Sequence, residues 1–235
     1  MEISSISGAL EARGLSLCGA FHPEPGDGVP ALRGGGAAAT LVLAGNQGPG
    51  LWRAFQAGPE SRDGAPDPLD RWTIRVVGEL AQALGCEPVF PFDRPHPPFI
   101  AWAKRAGPAR ESPLGILIHP DFGLWQAYRA ALLFAQAIDL PPPDDRPRPC
   151  ETCPHKPCLE ACPVGAFDGA RYDVAACAGH MAAPVGRDCL SDGCLARRAC
   201  PVGRDYAYGP GQAGFHMAAF LGARPVATAA TAAAS

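Results

Sequence analysis

Eight of the ten cysteines in this 235-residue chain fall between Cys150 and Cys200, in two runs with metal-ligand spacing. The first run is Cys150-x2-Cys153-x4-Cys158-x3-Cys162-Pro163, and the second is Cys177-x11-Cys189-x4-Cys194-x5-Cys200-Pro201. Both end in Cys-Pro-Val-Gly, an internal repeat offset by 38 residues. Closely spaced cysteines on a loop can wrap three corners of an iron–sulfur cubane with backbone amides turned toward the sulfurs, so eight thiolates fit two [4Fe–4S] clusters and electron-transfer chemistry. Two structural four-cysteine zinc sites are the alternative, but zinc ribbons pair two Cys-x2-Cys knuckles and this chain has a single one, Cys150–Cys153. A disulfide framework is the reading for an oxidising compartment. Cys18 and Cys86 lie in apolar contexts and read as buried structural thiols.

A Cys-Pro closing each run resembles the bacterial two-cluster ferredoxins, in which the fourth cysteine of one run serves the other cluster. That resemblance implies one cluster on Cys150, Cys153, Cys158 and Cys200, and another on Cys162, Cys177, Cys189 and Cys194. The spacing departs from the ferredoxin pattern before Cys158, and the second run is stretched.

The elements that must position these residues divide at Pro141–Pro149, which holds five prolines in nine residues. Proline fixes φ and donates no backbone hydrogen bond, so this stretch is a stiff connector. Residues 1–140 then form one domain, 141–222 a small cluster domain and 223–235 a disordered, low-complexity tail. In the first domain the apolar periodicity predicts helices over Ser4–Arg13, from Leu51, over Leu69–Leu84, Pro98–Ala106 and Leu124–Ile138. Strands are expected at Leu15–Phe21, Thr40–Ala44 and Glu87–Phe92, a loop at Gly45–Gly50, and a buried extended piece at Ile116–Ile118. Trp72, Val76, Leu80 and Leu84 share one helical face. Helices and strands mixed at this density predict an α+β or α/β layer domain, of which α+β is the expectation here.

The segment Gly115–Arg129, containing His119-Pro-Asp121-Phe122-Gly123-Leu-Trp125, resembles two related families. The cobalamin-trafficking CblC proteins carry a similar Ile-His-Pro-x-Phe-Gly-x-Trp stretch and an Asp-Pro-x-Asp helix start, here Asp67–Asp70. The epoxyqueuosine reductases carry a similar turn leading through a Leu-Pro linker into two crossed cluster motifs, as Phe122–Cys200 does. The resemblance implies a nitroreductase-like sheet-and-helix first domain, a ferredoxin-like second one, and a corrinoid such as cobalamin held near His119, Phe122, Gly123 and Trp125. His119 and Asp121 become candidate catalytic groups. Glycines would let backbone approach a flat ligand, and Phe122 and Trp125 offer aromatic area. The tRNA-acting reductases continue into helical repeats that this chain lacks after Gly222.

Composition narrows the functions further. The formal net charge is −3, and residues 141–210 carry eight Lys/Arg against nine Asp/Glu, without the basic stripe of an RNA binder. Nucleic acid is therefore an unexpected partner. No apolar run is long enough for a membrane span and the first ten residues lack a secretory pattern, so a cytoplasmic protein is expected. The Gly45–Gly50 glycines lack the dinucleotide fingerprint. The resulting expectation is an iron–sulfur oxidoreductase fed by an electron-donor protein (ferredoxin, flavodoxin or a reductase), reducing a corrinoid or a small substrate. An electron carrier with a docking domain and a tRNA-modifying reductase are the alternatives.

Overall fold

The computed structural model describes residues 1–224; the expected disordered tail lies, from residue 225 on, outside the described residues. Short apolar runs and amphipathic stretches build a mixed helix-and-sheet fold whose main sheet is antiparallel, which is the α+β class. The chain opens with helix α1 (Ile3–Glu11), strand β1 (Ser16–Phe21), strand β2 (Thr40–Gln47) and helix α2 (Gly50–Ala57). Helix α3 (Pro68–Leu84), strand β3 (Glu87–Val89), helix α4 (Phe99–Ala106), the short strands β4 (Arg110–Glu111) and β5 (Leu117–Ile118), and strand β6 (Gln126–Phe134) follow.

The sheet runs β1-β2-β6-β3, with Leu41 opposite Leu133 and Val42 opposite Leu132. Side chains alternate across a strand, so its two faces feed two cores. Val42, Ala130, Leu132 and Phe134 pack with Trp72, Val76, Val77 and Leu80 of α3 and with Ile6 and Leu10 of α1. Leu41, Leu43, Ala131 and Leu133 pack with Phe99, Trp102 and Ala103 of α4. The sheet is therefore the middle of three layers. Helix α3 matches its expected face, with Trp72 and Leu80 buried and Leu84 half-buried; Gly85, at φ +66°, ends it in the left-handed conformation that glycine tolerates.

The largest correction concerns Leu124–Ile138, expected as a helix and found as the central strand β6. Its Ala and Leu residues favour helix, and a strand buried on both faces shows no polar alternation to reveal it. Position between β2 and β3 overrides that propensity. Two smaller corrections follow. Gly45–Gln47, expected in a loop, continue β2, and a Cβ at Gly45 would stand 2.0 Å from the Ala127 carbonyl oxygen, so the bulge between Ala44 and Gly45 requires glycine. Ile116 is exposed, and Leu117–Ile118 pair with Arg110–Glu111 in a separate two-stranded sheet.

Beyond the irregular stretch 141–149 come four short helices: α5 (Pro157–Glu160), α6 (Val174–Ala182), α7 (Arg187–Asp192) and α8 (Leu195–Arg198). A longer helix, α9 (Pro210–Gly222), packs on α7 and returns to the first layer, where Phe215 lies 5.2 Å from Trp52 and 5.6 Å from Phe55, ring to ring. Leu114, Ile118 and Leu124 in turn share a core with Cys158, Phe167, Ala196 and Cys200. The sheet and the cysteine region are thus fastened on two sides.

Burial of both faces of β6 makes Leu132→Lys and Leu133→Lys each cost about 3 kcal/mol or more, from lost packing and a buried charge. Thermal melting of the two variants checks this; an amphipathic helix would accept one of them, and a tolerated lysine at either position contradicts the strand.

Candidate functional site

The first cysteine run turns back on itself through two consecutive non-glycine residues in the left-handed region, His155 (φ 60°) and Lys156 (φ 40°). Such residues are uncommon, and here they reverse the chain between Cys153 and α5. Cys158, on α5, is buried. Helix α8 packs on α5 and delivers Cys200 beside Cys158. Burial first, then the neighbouring Cys200, Cys158 and Cys153, push the Cys150 thiol up to about 11, with Arg148 opposing. The Cys158 thiol is raised by burial and then by Cys200 and Cys153. Cys150, Cys153, Cys158 and Cys200 therefore stand in one electrostatically coupled group.

The remaining four form another. Cys177 lies on α6, whose first turn is capped by the Asp173 carboxylate accepting from the Ala176 N–H at 2.9 Å. Cys189 is buried on α7, and Cys194 precedes α8. Gly186, where a Cβ would meet the His180 carbonyl oxygen at 2.0 Å, lets the end of α6 and the start of α7 close on each other. The Cys177 thiol is raised by burial, with the Tyr172 hydroxyl lowering it and the neighbouring Cys162 and Cys189 raising it; Cys194 is raised by burial and then by Cys177 and Cys189. Cys162 of the first run is thus a neighbour of Cys177 in the second.

Backbone amides face these sulfurs. Ala166 donates to Cys162 Sγ at 3.3 Å, and amides also reach Cys158, Cys194 and Cys200. Among the described residues no three Cys, His, Asp or Glu side chains converge tightly enough to hold one metal ion. A single zinc at about 2.3 Å from each sulfur would need such convergence. A cubane carries one thiolate per iron corner, so its four sulfurs stand farther apart than those around one zinc. Cys18 and Cys86 stand apart, each pushed up to about 12 chiefly by burial, as inert thiols are.

The segment His119–Trp125 forms a tight turn between the two regions. His119 and Gly123 exchange backbone hydrogen bonds at 2.8 and 3.0 Å, and His119 Nδ1 accepts from the Asp121 and Phe122 amides at 3.0 and 3.3 Å. The imidazole proton therefore sits on Nε2, and burial holds the ring's pKa below its usual value. The Asp121 carboxylate receives both arms of Arg146 at 2.8 and 2.9 Å, which holds it ionised. Phe122 stacks edge-on with Tyr206, 4.7 Å between centroids. Gly123 presses on the second Cys-Pro-Val-Gly turn, where a Cβ would stand 2.0 Å from the Val202 carbonyl oxygen. Trp125 is buried, and the Arg197 guanidinium lies 4.6 Å from its ring centroid and the same distance from that of Tyr208. All five candidate residues come together, but their contacts are with the chain itself.

Beside this turn, and lined by none of those five, is a cavity of about 630 Å³. Its wall joins the sheet side (Ser112, Gly115, Gln126, Tyr128) to the cysteine side (Tyr172, Arg197). Among the described residues, the Gln126 amide nitrogen and oxygen and the Tyr128 hydroxyl are buried with no hydrogen-bond partner. Leaving such groups unpaired costs about 1–3 kcal/mol each. Sequence reasoning missed Gln126 and Tyr128 because it placed them on a helix; as a strand, positions i and i+2 share a face, which would have paired them.

The chain matches no protein-family model and no curated protein. Among solved structures it is similar to the epoxyqueuosine reductase from Bacillus subtilis, at 14% identity and a TM-score of 0.44 over 73% of this chain and 50% of that one. A selenomethionine-labelled epoxyqueuosine reductase gives 14% identity and a TM-score of 0.43 over 75% and 52%. The chain spans about half the length of these structures. No described helix is long and apolar enough to cross a membrane.

The grouping of thiols has a direct consequence. Cys200→Ser should damage the same paramagnetic centre as Cys150→Ser and leave intact the one lost in Cys189→Ser, as read by EPR of the reduced protein. Loss of the Cys189 centre in the Cys200 variant would mean that each run binds locally.

Proposed function

We propose that this chain is an iron–sulfur oxidoreductase that carries electrons through two [4Fe–4S] clusters to an acceptor held in the cavity at the seam. The observation that carries the reading is the sorting of eight thiols into two groups of four, each drawn from both runs and met by backbone amides. Cys150, Cys153, Cys158 and Cys200 would hold one cluster, and Cys162, Cys177, Cys189 and Cys194 the other. When bound, the clusters supply one-electron storage at potentials set partly by hydrogen bonds to sulfur and by burial.

The protein's own residues do the rest. Interleaving α5 with α8 keeps the two groups adjacent, and the surrounding apolar side chains Leu159, Phe167 and Tyr172 limit water. The cavity touches the second group through Tyr172, which makes that cluster the exit. An electron-donor protein would load the other. A simple electron carrier has no use for a cavity between the sheet and the cysteine region, which favours an enzyme over a carrier. The near balance of charge in residues 141–210 gives RNA no electrostatic purchase, so tRNA reduction is the weaker reading. A corrinoid, implied by the resemblance of the 119–125 turn, is the first acceptor to try.

Titration of the cluster-loaded protein with cob(II)alamin should change the corrin spectrum in a saturable, stoichiometric way. Tyr128→Trp, which enlarges the side chain at the cavity wall, should weaken binding about tenfold or more, equivalent to about 1.4 kcal/mol. Saturable binding that Tyr128→Trp leaves unchanged places the corrinoid elsewhere, and no binding up to high micromolar ligand removes the corrinoid from the proposal.

A further inference from the structure

Helix α8 ends in two arginines with different surroundings. Arg198 donates to the Asp188 carboxylate at 2.6 Å. Arg197 has no carboxylate partner among the described residues. It is half-buried, with Nε and one terminal nitrogen donating to the Leu124 carbonyl and the guanidinium 4.6 Å from the ring centroids of both Trp125 and Tyr208. Carbonyl and rings fix the plane of the fork, so little freedom is left to lose when a further partner arrives. Arg197 also lines the cavity, where the other charged groups are Arg171 and Glu111. Glu111 is already paired with Lys104 at 2.9 Å, whereas Arg171 is exposed and enters no ion pair among the described residues. The wall therefore carries an excess of positive charge.

We infer that the cavity takes a small organic carboxylate and that Arg197 is the residue that binds its anionic group. The inference rests on the reading above that the cavity holds an acceptor, and it names the class to which a small-molecule acceptor belongs. A guanidinium presents its donors in a planar fork that meets a carboxylate at two points, and such charge-assisted bonds are roughly twice as strong as neutral ones. The rest of the wall suits an organic body rather than a bare anion: Ile100, Ile116 and Leu124 are apolar, and Tyr128 and Tyr172 add aromatic area. Arg197 follows Cys194 by three residues and precedes Cys200 by three. A carboxylate held by it therefore lies beside α8, the helix that runs from one thiol group to the other.

Titration of the full chain, purified without oxygen, with benzoate and with benzamide compares two probes of one shape and different charge. Calorimetry should show benzoate binding about ten- to a hundredfold more tightly, the range for hydrogen bonds to a charged group. Arg197→Gln should abolish that preference, Arg197→Lys, which keeps the charge without the fork, should reduce it, and Arg171→Ala should leave most of it. A second readout needs no variant to fold: benzoate, and not benzamide, should slow modification of Arg197 by phenylglyoxal in the wild-type protein, as mapped by mass spectrometry. No saturable benzoate binding, equal binding of the two probes, tighter binding of inorganic phosphate than of benzoate, or protection at another arginine overturns the inference and leaves the two-cluster reading standing. Wild-type protein that prefers benzoate through Arg197 but assembles no clusters overturns the redox reading and leaves the carboxylate site standing.

Discussion

The structure depends on one close backbone contact, between Gly123 and the Cys200-Pro201-Val202-Gly203 turn. A Cβ on Gly123 would lie 2.0 Å from the Val202 carbonyl oxygen, and one on Gly203 would lie 2.3 Å from the Phe122 carbonyl carbon. Neither distance is possible for a real side chain, and both residues sit at positive φ, +57° and +69°. The contact fixes where β6 starts, because Gln126 follows Gly123 by three residues. It also fixes Cys200, three residues before Gly203. The cavity wall and the first cysteine group are therefore placed by the same pair of glycines, and the Arg197 guanidinium bonded to the Leu124 carbonyl reinforces the seam.

Burial works against the charged form of the thiols, and the fold offsets this in stages. Desolvation raises Cys150, Cys158, Cys177, Cys194 and Cys200, and neighbouring sulfurs add to it for each of the five. Amides at Cys158, Cys194 and Cys200 and the hydroxyl at Cys177 pull the other way. A metal cluster would supply the remaining positive charge, since ligation requires thiolates and releases their protons. Cys18 and Cys86 are raised chiefly by burial and have no lowering amide or hydroxyl among the described residues.

What the sequence made legible follows from how local each signal is. Helices α1, α3 and α4 carried a one-sided apolar stripe and were readable, as were β1 and β2. Strand β6 was not, because a strand buried on both faces and rich in Ala and Leu has the composition of a helix. That single misreading hid the cavity, since Gln126 and Tyr128 share a face only on a strand. Cysteine spacing marked the thiols as candidate metal ligands, with their grouping in fours implied by the ferredoxin resemblance; in the fold, the packing of α8 on α5 brings Cys200 toward Cys158. The 119–125 turn drew attention as a pocket wall, and its glycine, aromatics and histidine are instead engaged with Val202, Tyr206, Arg197 and its own amides. Pockets and seams use the same residue types, so hydrogen-bond partners were needed to tell them apart.

Whether the eight thiols between Cys150 and Cys200 hold two cubane clusters is decided by composition. Metal and acid-labile sulfide analysis of protein purified without oxygen tests it most directly. Two clusters give about eight iron and eight sulfide per chain; two zinc per chain with no labile sulfide would rule them out.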